Sequence, residues 1–378
     1  VRILYVSHTH PPKGTILDNA GGMQRVSRQL IDEFRNRSDV DIFTHTINVS
    51  GKTVPFQTTG FLLKSLLTLS KKVRQCDADI ILFSSMVTAS LAWFLCKKID
   101  VPMVTINHGR DVTLEVSIYQ NFLPRVFSAL DGVISVSRAT RQECVKRGMD
   151  PNKGVALANG FNLETMKNLP AKESSRLSLH KKFNIPLQNK KMLLTVGRKV
   201  KRKGHEWFIR NVLPKVTREV VYVTIGDGPE LENAEQAANE SKDENIFLLG
   251  RQPDEVLQQA YAAADLFIMP NIPVSGDMEG FGIVLLEANM AQTPAVASDL
   301  EGIKDVISQG KNGYKVPVKD AEKFAAKINE VLNDNLEHLS GQTRSYVEDE
   351  FSWNRVAGQY VDFLCKIRDS YTSNKSKN

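Results

Sequence analysis

Met269-Pro-Asn-Ile-Pro-Val-Ser-Gly-Asp-Met-Glu279-Gly-Phe-Gly282-Ile-Val-Leu-Leu-Glu287-Ala288 reads as the end of a buried strand, an irregular Pro/Gly loop, and a helix starting near Gly282. Glu279 stands just before that helix and Glu287 on its second turn. A helix N-terminus presents unpaired N–H groups and the positive end of the backbone dipole, so it attracts an anion. A carboxylate beside it repels that anion unless it is turned elsewhere. The pattern therefore predicts a bipartite ligand, with phosphate at the amides and hydroxyls at the carboxylates.

A nucleotide-sugar has this shape. Glu279-Gly-Phe-Gly282 with Glu287-Ala288, followed by Thr293-Pro-Ala-Val-Ala-Ser and Gly310-Lys-Asn-Gly-Tyr, resembles the C-terminal signature of the retaining GT-B glycosyltransferases of family four. The resemblance implies an α/β fold of two doubly wound Rossmann-like domains facing a central cleft, with a C-terminal helix crossing back to the first. It implies that Glu279 binds hydroxyls of the donor sugar and Glu287 those of the ribose. The Phe281, Gly282 and Ile283 amides then take the phosphates.

The strand pattern agrees with two parallel sheets. Short β-branched runs at Ile3–Ser7, Asp41–Thr46, Ile80–Ser84, Met103–Asn107 and Gly132–Val136 alternate with helical stretches. A second set follows at Met192–Val196, Val220–Ile225, Ile246–Leu249, Leu266–Met269, Ala295–Ser298 and Tyr314–Val316. Such alternation gives sheets covered on both faces. The polar stretch Glu164–Lys190 interrupts it, so the domains are read as 1–168 and 169–353, with 354–378 returning to the first. Phe351-Ser-Trp353 resembles the start of that closing helix, and Asn159-Gly-Phe-Asn162 a hinge before the linker. The polar composition of Tyr371–Asn378 predicts disorder.

Composition bounds the class. A chain of 378 residues, 42% apolar and 24% charged, has room for two ordinary cores. Four scattered cysteines without a C-x-x-C pair argue against a disulfide framework or zinc site. No cofactor and no metal are expected. The sequence begins on a strand without a basic-then-apolar leader, which predicts a cytoplasmic protein. A net charge of +6 suits phosphate-bearing ligands and does not imply nucleic acid. Gly60–Arg74 is a basic, amphipathic helix. Packing on the sheet with a lysine-bearing solvent face is the weightier reading, and peripheral contact with an anionic membrane is the other.

Other motifs carry candidate chemistry. Gly21-Gly22 opens a helix after the first strand, either for its own turn or, as the resemblance implies, against the donor diphosphate. Lys13–Asn19 ahead of it reads as a lid or acceptor loop. His108 ends a strand in Asn107-His108-Gly109, where relatives place a histidine on the transferred sugar. Arg110 and Asp111 beside it are open between acceptor contact and a loop salt bridge. Ser137 reads as an N-cap, with acceptor contact the second reading.

Gly197-Arg198-Lys-Val-Lys-Arg-Lys203-Gly204 leads from a strand into a helix. Five basic residues in six would ordinarily be a solvated loop, yet fixed cations stabilise a leaving diphosphate. The resemblance selects Arg198 and Lys203. Gly226-Asp-Gly228-Pro fails the dinucleotide fingerprint, because Leu231 takes its third glycine position. It resembles instead the family's G-x-G-P, which implies a close backbone approach near the nucleotide. Gly250-Arg251-Gln252 lies where relatives hold the base, and Arg251 is open between base contact and plain surface. Gln292, Glu301 and Asp305 depart from the family pattern.

The expected activity is retaining transfer of a hexose from a UDP-, GDP- or ADP-sugar to a hydroxyl of a glycan, lipid-linked or small-molecule acceptor. A nucleotide-sugar epimerase of the same fold and a non-catalytic sugar-nucleotide binding protein are the alternatives.

Overall fold

The computed structural model of the chain describes residues 1–10, 22–48 and 54–376. Lys13–Asn19 and Gly21, singled out above, lie outside the described residues. The chain forms two compact units, Val1–Gly160 with Phe351–Asn378, and Phe161–Glu350. Both divisions fall a few residues before the expected ones.

The first unit holds a parallel sheet of β1 (Arg2–His10), β2 (Asp41–Asn48), β3 (Ile80–Phe83), β4 (Met103–Asn107), β5 (Gly132–Ser135) and β6 (Gly154–Ala156). Their order is β2-β1-β3-β4-β5-β6. The second holds β7 (Lys191–Val196), β8 (Val220–Ile225), β9 (Ile246–Leu248), β10 (Leu266–Met269), β11 (Ala295–Ser298) and β12 (Gly313–Val316). Their order is β12-β11-β10-β7-β8-β9. Helices cover the strands, so β3 is buried along its whole length as Ile-Ile-Leu-Phe and β10 as Leu-Phe-Ile-Met. β6 is the strand absent from the sequence reading. It is three half-buried residues after a Pro151 turn, at the head of the short apolar run Val155–Ala158, and pairing with β5 makes it a strand.

Strand order locates the crevices. In the second sheet the chain runs from β7 outward to β8 and β9, then returns to the other flank of β7 as β10. In the first, β2 and β3 lie on opposite flanks of β1. At such a reversal the connections on either side diverge. A gap opens outside the carboxyl ends of the two strands, and ligands of open parallel sheets bind there. The loops after β7 and β10, and those after β1 and β3, are therefore where chemistry is to be sought.

The closing helix Trp353–Lys375 belongs to the first unit. Trp353 is buried against Gly160, where a Cβ would lie 2.3 Å from the indole, and its Nε1 donates to Gln29 Oε1 at 2.9 Å. The tail expected to be disordered is helical through Lys375, whose ammonium pairs with Asp100. Composition alone could not show that anchor.

Candidate active site

Backbone builds the second unit's crevice first. Gly226 follows β8 with φ +131°, and a Cβ there would lie 2.0 Å from the Gly197 carbonyl oxygen. Gly228 has φ +156°, and its Cβ would lie 2.4 Å from the Lys199 carbonyl oxygen. Both glycines are thus required by the neighbouring β7 loop, a close approach of protein to protein. The Gly226 amide also donates to the Gly250 carbonyl at 2.7 Å, which joins a third loop. On the other flank, a Cβ on Gly204 would lie 2.1 Å from the Pro270 carbonyl oxygen, and the Ile272 amide donates to Arg202 O at 2.8 Å. The β7 loop is thereby locked to the exit of β10.

That lock brings Lys203 to Glu279. Lys203 Nζ meets Glu279 Oε2 at 2.6 Å, with both side chains about nine-tenths buried. Asn271 Nδ2 donates to the same oxygen at 3.1 Å, and Arg202 Nε stands 3.6 Å from it. Arg202 also reaches Asp277 Oδ2 at 3.1 Å. Burial pushes the Glu279 carboxyl up, but the Lys203 and Arg202 charges and the hydrogen bonds from Lys203 and Asn271 outweigh it. The net pKa is lowered and the group is ionised. Sequence had given the two residues separate duties, the sugar for Glu279 and the phosphates for Lys203. The structure makes them one ion pair.

Arg198 is exposed at the start of the same loop and makes no ion pair among the described residues. The helix after the Pro/Gly loop is Val284–Met290, starting two residues later than expected, so Glu287 lies in its first turn rather than its second. Tyr261 Oη donates to Glu287 Oε2 at 2.6 Å. Gly282 precedes the helix at φ +93° and Ile283 caps it, while Phe281 is buried. Arg251 is exposed, and Gln252 Nε2 donates to the Leu249 carbonyl at 2.6 Å.

In the first unit, His108 follows β4. Its Nε2 is 2.9 Å from the Ser84 carbonyl oxygen, which can only accept, so Nε2 carries a proton, and in a neutral ring Nδ1 is the acceptor. Asp111 is buried. Its two oxygens accept from the amides of His108 at 2.8 Å and Met86 at 3.0 Å, tying the β3 and β4 loops together. Of the two readings of Asp111, the loop salt bridge is not found among the described residues, and both carboxylate oxygens accept from backbone amides. Arg110 next to it is exposed. Ser137 caps helix Arg138–Lys146, accepting from the Thr140 amide at 3.1 Å. Gly22 heads helix Gly22–Asn36, and among the described residues nothing lies within 4 Å of where its Cβ would stand.

Comparison with known proteins decides the family. The profile described as Glycosyltransferase Family 4 matches residues 20–165, and that described as Glycosyl transferases group 1 matches residues 190–334. The chain belongs to the group 1, family 4 glycosyltransferases. It is 28% identical over 267 residues to a GDP-mannose-dependent alpha-(1-6)-phosphatidylinositol monomannoside mannosyltransferase of Mycobacterium tuberculosis, 68% of each chain. It is 26% identical over 367 residues to the phosphatidyl-myo-inositol mannosyltransferase of Mycobacterium leprae, covering 91% of this chain and 92% of that one. Among solved structures it resembles the sucrose-phosphate synthase of Thermosynechococcus elongatus, with TM-score 0.76, 20% identity, and 98% and 99% coverage. Anabaena HepE in complex with UDP gives TM-score 0.73 at 18% identity, over 97% and 100% of the two chains. The fold is therefore GT-B.

Several residues of this glycosyltransferase's crevices escaped the sequence reading. Lys199, read as a solvated neighbour of Arg198, is fully buried, with Nζ 2.7 Å from Thr224 Oγ1. Burial draws its pKa down to about 8. Buried His205 next to Lys203 is held well below the usual histidine range by burial and then by the Lys199 and Lys203 charges, so it is neutral. His8, on the carboxyl half of β1, is likewise drawn down to about 4 by burial and by His108. Asn271 carried no signal at all. Among the described residues no three metal-ligating side chains gather, and no helix is long and apolar enough to cross a membrane.

Proposed function

We propose that the chain is a retaining, metal-independent hexosyltransferase using a nucleotide-sugar donor. The observation that carries the reading is the Lys203–Glu279 pair, buried at the strand-order reversal of the second unit, with Arg198 exposed on the same basic loop. Cleaving a sugar–phosphate bond leaves negative charge on a diphosphate, and preformed cations there favour the transition state. Arg198 supplies a planar fork for two oxygens, and Lys203 a fixed point charge. Glu279, kept ionised and oriented by Lys203 and Asn271, accepts hydrogen bonds from donor-sugar hydroxyls. Glu287 takes the ribose hydroxyls.

His108, with its proton turned to Ser84, offers Nδ1 to the transferred sugar. In this front-face reaction a donor phosphate oxygen receives the acceptor hydroxyl's proton while the sugar passes through an oxocarbenium-like state. The protein's share is position and charge. The names of the mycobacterial mannosyltransferases and the UDP bound by HepE support a nucleotide-sugar donor.

A lipid-linked acceptor, met at a membrane surface, is the reading we favour. Helix Val54–Cys76 carries Lys64, Lys71, Lys72 and Arg74 and no acidic residue. Phe61, Ser65, Leu69 and Val73 face the core, as the packing reading requires, yet Phe56, Leu63 and Leu67 on the opposite face are 82%, 61% and 86% exposed. An apolar stripe flanked by cations suits weak peripheral contact with anionic lipid.

The test is to incubate the protein with UDP-, GDP- and ADP-sugars, with and without acceptor lipid in anionic vesicles. Nucleoside-diphosphate release should depend on acceptor, and NMR of the product should show the donor's anomeric configuration kept. Release without transfer, or an inverted product, would refute the reading.

A further inference from the structure

Both backbone polar groups of Glu279 are held by one distant dipeptide. The Glu279 amide donates a short hydrogen bond to Glu301 Oε2, and the Gly302 amide donates to the Glu279 carbonyl at 3.1 Å. Beside this clamp a Cβ on Gly302 would lie 2.1 Å from the Gly280 carbonyl oxygen, so residues 279–281 and 301–302 are packed backbone on backbone. Glu301 adopts φ +46°, a left-handed conformation unfavourable for a residue with a side chain. The left-handed residue sits in the turn Leu300–Ile303, closed by the Ile303 amide on the Leu300 carbonyl at 3.1 Å, and that turn carries the Glu301 carboxylate to Glu279.

We propose that Glu301 is a positioning residue for donor binding, which fixes the Glu279 backbone so that the Glu279 carboxylate is presented to the donor sugar. The proposal rests on the reading of Glu279 as a donor contact. Its charged surroundings come from three segments. Glu279 and Asp277 of the β10 loop and Arg202 of the β7 loop act on the Glu301 carboxyl, and Lys304 and Asp299 of its own stretch pair with each other. Burial pushes the Glu301 carboxyl up to about 7, the Glu279 amide opposes this, and the Glu279 charge adds to it. Near neutral pH the clamp therefore alternates between a charge-assisted bond and a neutral one, and the charge-assisted form is about twice as strong. Donor binding should weaken as pH falls through that range.

The test is the pH profile of kcat/KM for the donor, with melting curves, in the wild type, Glu301→Gln, Glu301→Ala and Glu279→Ala. The wild type should show a group titrating near 7. Glu301→Gln, which keeps an acceptor oxygen without a proton to gain, should lose that group. Glu301→Ala should raise the donor KM about tenfold, because the Glu279 amide loses its acceptor and the carboxylate beside it is no longer fixed. A residue serving stability alone would lower the melting temperature and leave the pH profile unchanged. If both Glu301 variants keep the wild-type profile and KM while Glu279→Ala is inactive, the clamp is overturned and the donor-contact reading stands. If Glu279→Ala keeps wild-type kcat/KM, the donor-contact reading falls and the proposal falls with it.

Discussion

Replacing Lys203 by methionine keeps the side-chain stem and removes its ammonium. Glu279 would then lose the closest of its partners, 2.6 Å away, while buried to about nine-tenths. Breaking a buried ion pair from one side costs about 3–5 kcal/mol, because the remaining charge is left uncompensated. Asn271 at 3.1 Å and Arg202 at 3.6 Å stay on Oε2, so the lower end applies, about 3 kcal/mol. In a unit of this size each kcal/mol moves the melting temperature by about 2–4 °C, giving a fall of roughly 6–12 °C.

The double variant Lys203→Met/Glu279→Gln should recover most of that loss, since no charge is then stranded. The cost should also shrink with acid. Without Lys203 the Glu279 carboxyl rises toward protonation, so lowering the pH from 7.5 to 5 neutralises the stranded charge and narrows the gap to wild type. Thermal melts of the wild type, both single variants and the double variant at two pH values supply the whole comparison. Donor turnover should fall by orders of magnitude in Lys203→Met. A single variant melting within about 2 °C of wild type, against the loss expected above, would refute the reasoning.

Gly160→Ala would drive a Cβ to 2.3 Å from the Trp353 indole. Overpacking of this kind costs about 1–3 kcal/mol, and limited proteolysis should release the closing helix Trp353–Lys375 sooner than in wild type. Asp265→Asn removes a buried carboxylate at the end of β10 opposite the crevice. It accepts from the Met192 amide at 2.8 Å and meets Lys172 at 2.8 Å and Arg176 at 3.1 Å. Burial raises this carboxyl, but Lys172 and the other partners outweigh it and its pKa is lowered. Its stabilisation is thus present above the ordinary carboxylate range and lost as pH falls through the lowered value. The variant should be less stable by about 2 kcal/mol at pH 7, a figure reduced because Lys172 and Lys191 are nearly half-exposed. The difference from wild type should close in acid unfolding curves.

Much of this protein was fixed by local pattern. Strands such as Ile80–Phe83 and Leu266–Met269 are unbroken apolar runs because both faces of a parallel sheet are covered, and that shows without any partner in view. The Gly-Arg-basic-Lys-Gly loop and the Glu-Gly-Phe-Gly loop were likewise legible, since each ends a strand and opens a helix. Tertiary structure decided what those residues touch. Only the return of β10 to the flank of β7 brings Lys203 against Glu279, and only the packing of Gly226 and Gly228 on the β7 loop shows that backbone explains those glycines. Lys199 was misread as solvated, and β6 and the helical tail were missed, because burial and strand pairing are supplied by segments far away in the chain. Periodicity reports which face of an element is apolar. Which charge meets which depends on where distant loops converge, and that is a property of the folded chain.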